Sequence, residues 1–209
     1  MSDVLAIIGK FKVLPIVAIK NAIDAIPLAD ALKAGGLPLV EVTFRTEAAE
    51  DSIRAISTRG DIQVGAGTII TVGQAKKAID AGAKFIVSPG LDADVVKFCI
   101  NAGIPITPGI CTPSEVMASM KLGLSTLKFF PAEAYGGLKT LKAISAPLGT
   151  IKFIPTGGVN TKNLAEYLAF PKVFACGGTW LATSEMIEQG RFDKITEFCK
   201  EAAAIAVSI

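Results

Sequence analysis

The chain has 209 residues, of which 51% are hydrophobic and 19% are charged, and its formal net charge is +2. This composition supplies enough apolar material for a core and excludes an intrinsically disordered chain. The near-neutral charge, without a long basic run, gives no electrostatic reason to expect nucleic acid or an anionic membrane surface as a partner.

Residue types and patterns that the sequence lacks limit the catalytic groups and the cellular compartment that can be expected. Histidine is absent, which excludes histidine-dependent triads, histidine general bases and histidine-containing metal sites. No CxxC pair occurs, so four free thiols in a reducing compartment are predicted for Cys99, Cys111, Cys176 and Cys199. The N-terminus lacks the pattern of a signal peptide, and no apolar run reaches the roughly 18–20 residues that cross a bilayer. We therefore expect a soluble cytoplasmic protein.

Short apolar runs alternate with longer amphipathic runs along the whole chain. A short leading helix is predicted over 3–10. Eight strands are predicted at 13–19, 38–44, 62–67, 84–88, 104–107, 126–130, 151–155 and 173–176. The helices between and after them are predicted near 21–34, 47–58, 71–82, 92–101, 113–121, 137–146, 161–168 and 191–206. Thr71, Thr112 and Thr161 are the predicted N-caps of three of these helices.

Strict alternation of strands and helices predicts a parallel sheet. Eight such units favour a closed (β/α)8 TIM barrel with a short N-terminal helix, forming a single domain over residues 1–209. An open doubly wound sheet is the alternative, but no GxGxxG motif follows the first strand. Pro15 fits poorly inside that strand because proline cannot donate to a sheet ladder. Either the strand begins near Pro15 or its pairing is interrupted there.

Charged residues lie on the inward faces of two predicted strands. In VEVTFR, Glu41 and Arg45 share a face with Thr43, and the apolar residues between them share the other. Because alternate side chains of a barrel strand point inward, Glu41 and Arg45 are predicted to face the interior or its mouth. By the same rule, Lys128 and Phe130 of TLKFF point inward. An unpaired amine at such a position is costly to desolvate, unless the lysine snorkels to solvent at the mouth.

Small, polar or glycine residues end the other strands. They include Thr68, Ser88, Pro89, Thr107, Thr156, Gly157, Gly158, Gly177, Gly178 and Thr179. In barrel enzymes the site is built at the C-terminal ends of the strands. Each signal also has a structural explanation, since Glu41 and Arg45 could form an interior ion pair, and glycine pairs occur in ordinary tight turns. The combination of an inward lysine, glutamate and arginine with two glycine-rich loops favours an active site.

This set of residues is suited to 2-oxo acid chemistry. A lysine amine among apolar groups is a nucleophile that forms a Schiff base with a ketone. The planar guanidinium of Arg45 is suited to a carboxylate, Thr68 could add a hydroxyl donor, and Glu41 can carry protons. The glycine-rich segments after strands seven and eight are predicted to bind phosphate, as such loops often do in barrels.

Six segments follow one another over residues 40–181: VEVTFRT, GAGT, VSPG, LKFFPAEAYGG, PTGGV and GGTWL. In this order they resemble the 2-keto-3-deoxy-6-phosphogluconate (KDPG) aldolase family, which includes 4-hydroxy-2-oxoglutarate (KHG) aldolases. The resemblance implies a metal-independent class I aldolase without a cofactor on a (β/α)8 barrel, usually a homotrimer. By position, Lys128 matches the Schiff-base lysine and Glu41 the proton carrier.

The resemblance also carries binding roles. Arg45 and Thr68 match residues that bind the pyruvate portion, and Thr156 matches a residue placed near the aldehyde-derived hydroxyl. Pro89 and Phe130 match pocket walls, and the phosphate loops correspond to Gly157, Gly158, Gly177 and Gly178. Thr179 stands where serine is common, which keeps a hydroxyl. Tyr135 adds a bulky group that could alter the preferred distal part of the substrate.

The resemblance implies cleavage of KDPG to pyruvate and glyceraldehyde 3-phosphate, with KHG cleavage to pyruvate and glyoxylate as a further expectation. The sequence does not separate these substrates, nor the gluconate from the galactonate epimer. Alternatives are a 2-dehydro-3-deoxy-6-phosphogalactonate aldolase, another phosphate-binding barrel enzyme such as an isomerase or decarboxylase, and a non-catalytic phosphosugar-binding barrel. The predicted partners are a small 2-oxo acid and further copies of the chain.

Overall fold

The computed structural model describes residues 3–209, which form a barrel of parallel strands surrounded by helices. The strands are β1 (Val13–Val17), β2 (Leu39–Thr43), β3 (Gln63–Gly67), β4 (Ile86–Val87), β5 (Ile106–Thr107), β6 (Gly109–Ile110), β7 (Thr126–Phe129), β8 (Lys152–Pro155) and β9 (Cys176–Gly178). The α-helices are α1 (Asp3–Phe11), α2 (Ala25–Ala34), α3 (Ala49–Ser57), α4 (Val72–Asp80), α5 (Ala93–Asn101), α6 (Pro113–Lys121), α7 (Gly137–Ser145), α8 (Leu164–Leu168), α9 (Ser184–Glu188) and α10 (Phe192–Val207). Short 3-10 turns at Ala22–Asp24 and Glu133–Tyr135 precede α2 and α7.

Parallel pairing runs around the whole barrel. The hydrogen-bonded order is β5-β4-β3-β2-β1-β9 for six strands and β6-β7-β8 for the other three. β5 and β6 are halves of one barrel strand, separated by Pro108, which has no amide hydrogen to donate. Isolated bridges from Phe153 to Val173 and from Thr156 to Gly177 join the β8 side to the β9 side. The predicted (β/α)8 barrel with a short N-terminal helix is confirmed, and the open sheet is excluded.

Pro15 lies in the middle of β1, where the ladder changes sides. Val13, Leu14 and Pro15 are in register with β9, whereas Ile16 and Val17 are in register with β2. The missing amide hydrogen therefore falls where one partner strand takes over from the other. The strand therefore does not begin at Pro15, and its pairing is not broken there but passes from β9 to β2.

The core lies between the barrel and the helices, as strand alternation predicts. Val42, Leu127 and Phe129 point outward into this layer and are fully buried. Their sequence neighbours on the opposite face therefore point into the barrel. Within residues 3–209, none of the helices has the length and apolar character that crossing a bilayer requires.

Two of the three predicted helix caps form. Thr71 accepts a hydrogen bond from the backbone of Gln74, and Thr112 forms a reciprocal capping box with Glu115. The predicted cap at Thr161 is wrong because α8 begins at Leu164, after a turn in which the backbone N–H of Asn160 donates to the Asn163 side chain. The short helix α9 has no counterpart among the predicted elements.

Candidate active site

A cavity of about 300 Å³ opens where the strands end. Its lining includes all of the site residues predicted from the sequence: Glu41, Arg45, Thr68, Pro89, Lys128, Phe130, Thr156, Gly157, Gly158, Gly177, Gly178 and Thr179. Three further residues, Ile16, Thr43 and Val159, complete the wall and were not predicted. Tyr135, which was expected to affect the distal part of the substrate, does not line this cavity.

Lys128 and Glu41 meet across the barrel interior. Lys128 lies on β7 and Glu41 on β2, two strands that are not neighbours in the barrel. Lys128 Nζ is 3.6 Å from Glu41 Oε1, and the two side chains are 8% and 1% exposed. The amine is also 5.0 Å from the centroid of the Phe130 ring. Lys128 therefore does not snorkel to solvent but is held inside, between a carboxyl group and an aromatic wall.

Two opposing effects act on the proton affinity of Glu41. Burial is the larger effect and raises its pKa, while the charges of Lys128 and Arg45 act in the lowering direction. At 3.6 Å the contact with Lys128 is an ion pair too long for a hydrogen bond, and Glu41 Oε1 has no hydrogen-bond partner among the described residues. Glu41 is thus a buried carboxyl group with a raised pKa, beside an amine.

Arg45 is oriented by a threonine rather than by a carboxylate. Its Nε donates to Thr43 Oγ1 at 3.0 Å, and Thr43 Oγ1 donates to the backbone oxygen of Val17 at 2.8 Å. No ion pair between Arg45 and Glu41 forms in residues 3–209, so the interior ion pair between them is not observed. The signal for Thr43 was its position between Glu41 and Arg45 on the inward face of VEVTFR.

Glycines on two strands leave the space that these side chains occupy. A Cβ atom on Gly67 would lie 2.0 Å from Glu41 Oε1, and one on Gly177 would lie 2.4 Å from Thr156 Oγ1. Both distances are far below van der Waals contact, so neither glycine can gain a side chain unless its neighbour moves. Gly67 was not predicted as a site residue, because a sequence does not show which side chain lies across a glycine.

The two glycine-rich segments take different conformations. Gly157 and Gly158 follow β8 with φ values of 95° and 85°, which favour glycine. Gly177 and Gly178 lie within β9 rather than in a loop after it, so the predicted end of the last strand was too early. In the part of the chain that the structure describes, no hydrogen bond uses the backbone N–H of Gly158 or Thr179. Both groups are available to an anion at this edge of the cavity.

Two other features concern residues at or near the mouth. Thr68 follows β3 with a φ of 59°, a left-handed conformation that is strained for a β-branched residue. Lys20, which follows β1, lies outside the cavity lining and forms an exposed ion pair with Glu188 at 2.9 Å. Lys20 is therefore a surface residue, whereas Thr68 holds an unfavourable backbone conformation at the cavity wall.

The family model for KDPG and KHG aldolases matches residues 4–198. The chain belongs to this family. It is 42% identical to a 2-dehydro-3-deoxy-phosphogluconate aldolase of Treponema pallidum over 206 residues, covering 98% of both chains. A KDPG aldolase of Legionella pneumophila, solved with pyruvate captured as a covalent carbinolamine intermediate, is 42% identical with a TM-score of 0.90, over 94% of this chain and 96% of that one. The aldolase of Zymomonas mobilis, solved with 3-phosphoglycerate, is 36% identical with a TM-score of 0.92, over 98% of this chain and 97% of the other.

Proposed function

We propose that this protein is a class I aldolase that cleaves KDPG to pyruvate and glyceraldehyde 3-phosphate through a Schiff base on Lys128. The observation that carries the proposal is the enclosed pair of Lys128 Nζ and Glu41 Oε1, 3.6 Å apart at the end of a barrel. The buried amine is the nucleophile that forms the iminium, and the neighbouring carboxyl group is the proton carrier that cleavage of the C–C bond requires. The covalent carbinolamine in the Legionella relative supports the same chemistry here.

The proposed reaction begins when the Lys128 amine attacks the C2 carbonyl of the substrate. The carbonyl oxygen leaves as water, and the resulting iminium draws electrons from the C3–C4 bond. Glu41 accepts the proton of the C4 hydroxyl as that bond breaks, which releases the aldehyde and leaves an enamine on Lys128. Glu41 then returns the proton to C3, and water hydrolyses the iminium to release pyruvate and restore the amine.

The remaining lining residues are proposed to bind the two ends of the substrate. Arg45 and Thr68 hold the carboxylate of the pyruvate portion, since a guanidinium fork matches a carboxylate. Thr156 contacts the aldehyde-derived hydroxyl, and Pro89 and Phe130 form the apolar wall. The phosphate is proposed to lie against Gly157, Gly158, Gly177, Gly178 and Thr179. The unused backbone N–H groups of Gly158 and Thr179 support that anion site.

Borohydride reduction in the presence of pyruvate tests the proposed Schiff base. We expect inactivation and one reduced pyruvate adduct, located on Lys128 by peptide mass spectrometry. The Lys128→Ala variant should take up no adduct and lose turnover, whereas Lys20→Ala, at an exposed lysine outside the cavity, should behave as the wild type. An adduct on another residue, or none on the wild type, would show that the mechanism is wrong.

The same assays separate the alternative functions. Turnover retained by Lys128→Ala would favour a phosphate-binding isomerase or decarboxylase. Phosphosugar binding without pyruvate-dependent labelling would favour a non-catalytic binding barrel. We also propose KHG as a second substrate, and relative kcat/KM values for KDPG, its galactonate epimer and KHG define the preference. A homotrimer in the cytoplasm completes the proposal, and light scattering on the purified protein tests the trimer.

A further inference from the structure

We propose that Thr43 is a positioning residue that sets the orientation of Arg45 and thereby the selectivity for a substrate carboxylate. This inference rests on the proposed function, because it assigns Arg45 to the carboxylate of a 2-oxo acid. It concerns a hydroxyl that lines the cavity without being one of the reacting groups. Three observations support it: the hydrogen bond that holds the Thr43 hydroxyl to β1, the direction of the hydrogen bonds of that hydroxyl, and the lack of other partners for the Arg45 guanidinium among the described residues.

The hydroxyl of Thr43 is buried and hydrogen-bonded between two paired strands. Thr43 is the last residue of β2, and its side chain is buried, with the whole residue 3% exposed. The hydroxyl reaches the backbone oxygen of Val17 at 2.8 Å, and Val17 is the last residue of the neighbouring strand β1. Val17 is in register with Val42, the residue before Thr43. The hydroxyl is therefore held by two paired strands and not by a loop.

The hydrogen-bond directions follow from the number of protons. A threonine hydroxyl has one proton, and a carbonyl oxygen can only accept, so that proton points to Val17. The lone pairs of Thr43 Oγ1 are left to accept the Nε–H of Arg45, 3.0 Å away. The carbonyl of Val17 thus fixes the hydroxyl in the state that accepts from Arg45.

The tether matters because Arg45 is otherwise poorly restrained. Arg45 is an exposed residue, and its terminal nitrogens form no hydrogen bond or ion pair with any residue that the structure describes. A long side chain in this position loses rotamer freedom when it binds a ligand, and holding it beforehand reduces that loss. With Nε bound to Thr43, the plane of the guanidinium is restrained, and both terminal nitrogens remain for a carboxylate.

The chain offers matched variants for a test. Thr43→Val keeps the shape and removes the hydroxyl, while Thr43→Ser keeps the hydroxyl. Thr46→Val is the control, since Thr46 Oγ1 also donates to a backbone oxygen, that of Ile19 at 2.5 Å, but does not bind Arg45 or line the cavity. Thr43→Cys, with a weak acceptor of similar size, replaces Thr43→Val if the valine variant does not fold.

The measured quantity is the concentration that gives half-maximal borohydride trapping on Lys128, for pyruvate and for pyruvamide, its neutral analogue. We expect Thr43→Val, or Thr43→Cys in its place, to raise this concentration about tenfold for pyruvate, the effect of losing roughly one hydrogen bond to a charged group. The value for pyruvamide should stay within twofold of the wild type. Thr43→Ser and Thr46→Val should match the wild type for both compounds.

The two proposals fail in different ways. If the wild type traps pyruvate but Thr43→Val keeps the full preference for pyruvate over pyruvamide, the role of Thr43 is wrong and the aldolase proposal stands. Equal weakening for both compounds would also overturn the positioning role, because it would indicate a general structural defect. The positioning role would likewise be wrong if Arg45→Met left the preference unchanged. If the wild type traps neither compound, both proposals fall.

Discussion

Replacing Gly67 with alanine should displace Glu41 with little damage to the barrel. The new Cβ would lie 2.0 Å from Glu41 Oε1 and 2.6 Å from its carboxyl carbon, whereas ordinary contact begins near 3.4 Å. The carboxyl group must therefore move by about 1 Å or more. A misplacement of about 1 Å at a reacting group costs roughly 100-fold in rate. We expect kcat/KM of Gly67→Ala to fall by about that factor.

A second glycine on the same strand provides the control. Gly65 lies two residues before Gly67, and a Cβ there would lie 2.3 Å from the ring of Phe85, which is 2% exposed. That ring is packed in the core, so Gly65→Ala should cost about 1–3 kcal/mol of unfolding free energy, as overpacking typically does. The carboxyl of Glu41 ends a flexible side chain and faces a cavity, so Gly67→Ala should cost less. Gly65→Ala should therefore lose mainly stability, and Gly67→Ala should lose mainly activity.

The experiment combines urea unfolding with steady-state kinetics on both variants, with rates expressed per folded molecule. Borohydride trapping of pyruvate adds a second readout, since Schiff-base formation on Lys128 does not require Glu41 to reach the C4 hydroxyl. We expect Gly67→Ala to retain trapping while losing cleavage. If Gly67→Ala keeps kcat/KM within about threefold of Gly65→Ala, the inference that Gly67 makes room for a catalytic Glu41 is refuted.

Two further predictions concern the carboxyl group and the strained threonine. Because burial raises the pKa of Glu41 in the free enzyme above its ordinary value of 4.5, kcat/KM for cleavage should increase with pH through that raised pKa, as the carboxylate able to accept the C4 hydroxyl proton forms. Glu41→Gln should lose this pH dependence and about 10²–10⁴-fold in kcat, with pyruvate trapping retained, and a pH-independent wild type would contradict the assignment. Thr68→Gly should gain up to about 1 kcal/mol in unfolding free energy by relieving the left-handed backbone, yet lose about tenfold in kcat/KM with its hydroxyl. A destabilised glycine variant in urea unfolding would show that Thr68 stores no backbone strain.

Much of the site could be predicted from the sequence because side chains alternate between the two faces of a strand. Lys128 and Glu41 were predicted to point inward because their apolar sequence neighbours face the helices. In a strand, the residues between those neighbours must then lie on the opposite, inner face. The order of strands and helices predicted the barrel in the same way, since strict alternation leaves few topologies. These are local patterns, and the fold preserves them.

Features that depend on two distant segments could not be predicted in this way. The 3.6 Å separation of Lys128 from Glu41 depends on the closure of β2 and β7 around the barrel. The role of Thr43 depends on a carbonyl of β1, and that of Gly67 on the path of a side chain from β2. The cap at Thr161 failed because the turn from Asn160 to Asn163 competes with an earlier helix start.

The Lys128–Glu41 pair explains how one carboxyl group could move a proton in both directions. In the proposed cycle, the iminium on Lys128 is cationic. Its positive charge favours the carboxylate form of Glu41 and so opposes burial, which favours the protonated form. When the C3–C4 bond breaks, its electrons neutralise the iminium, and burial then favours the protonated acid at the moment when the C4 hydroxyl gives up its proton. Proton return to the enamine regenerates the cation and again favours the carboxylate. The protonation state of buried Glu41 thus follows the charge on Lys128 at each step. An exposed carboxylate would respond much less, because water would screen that charge.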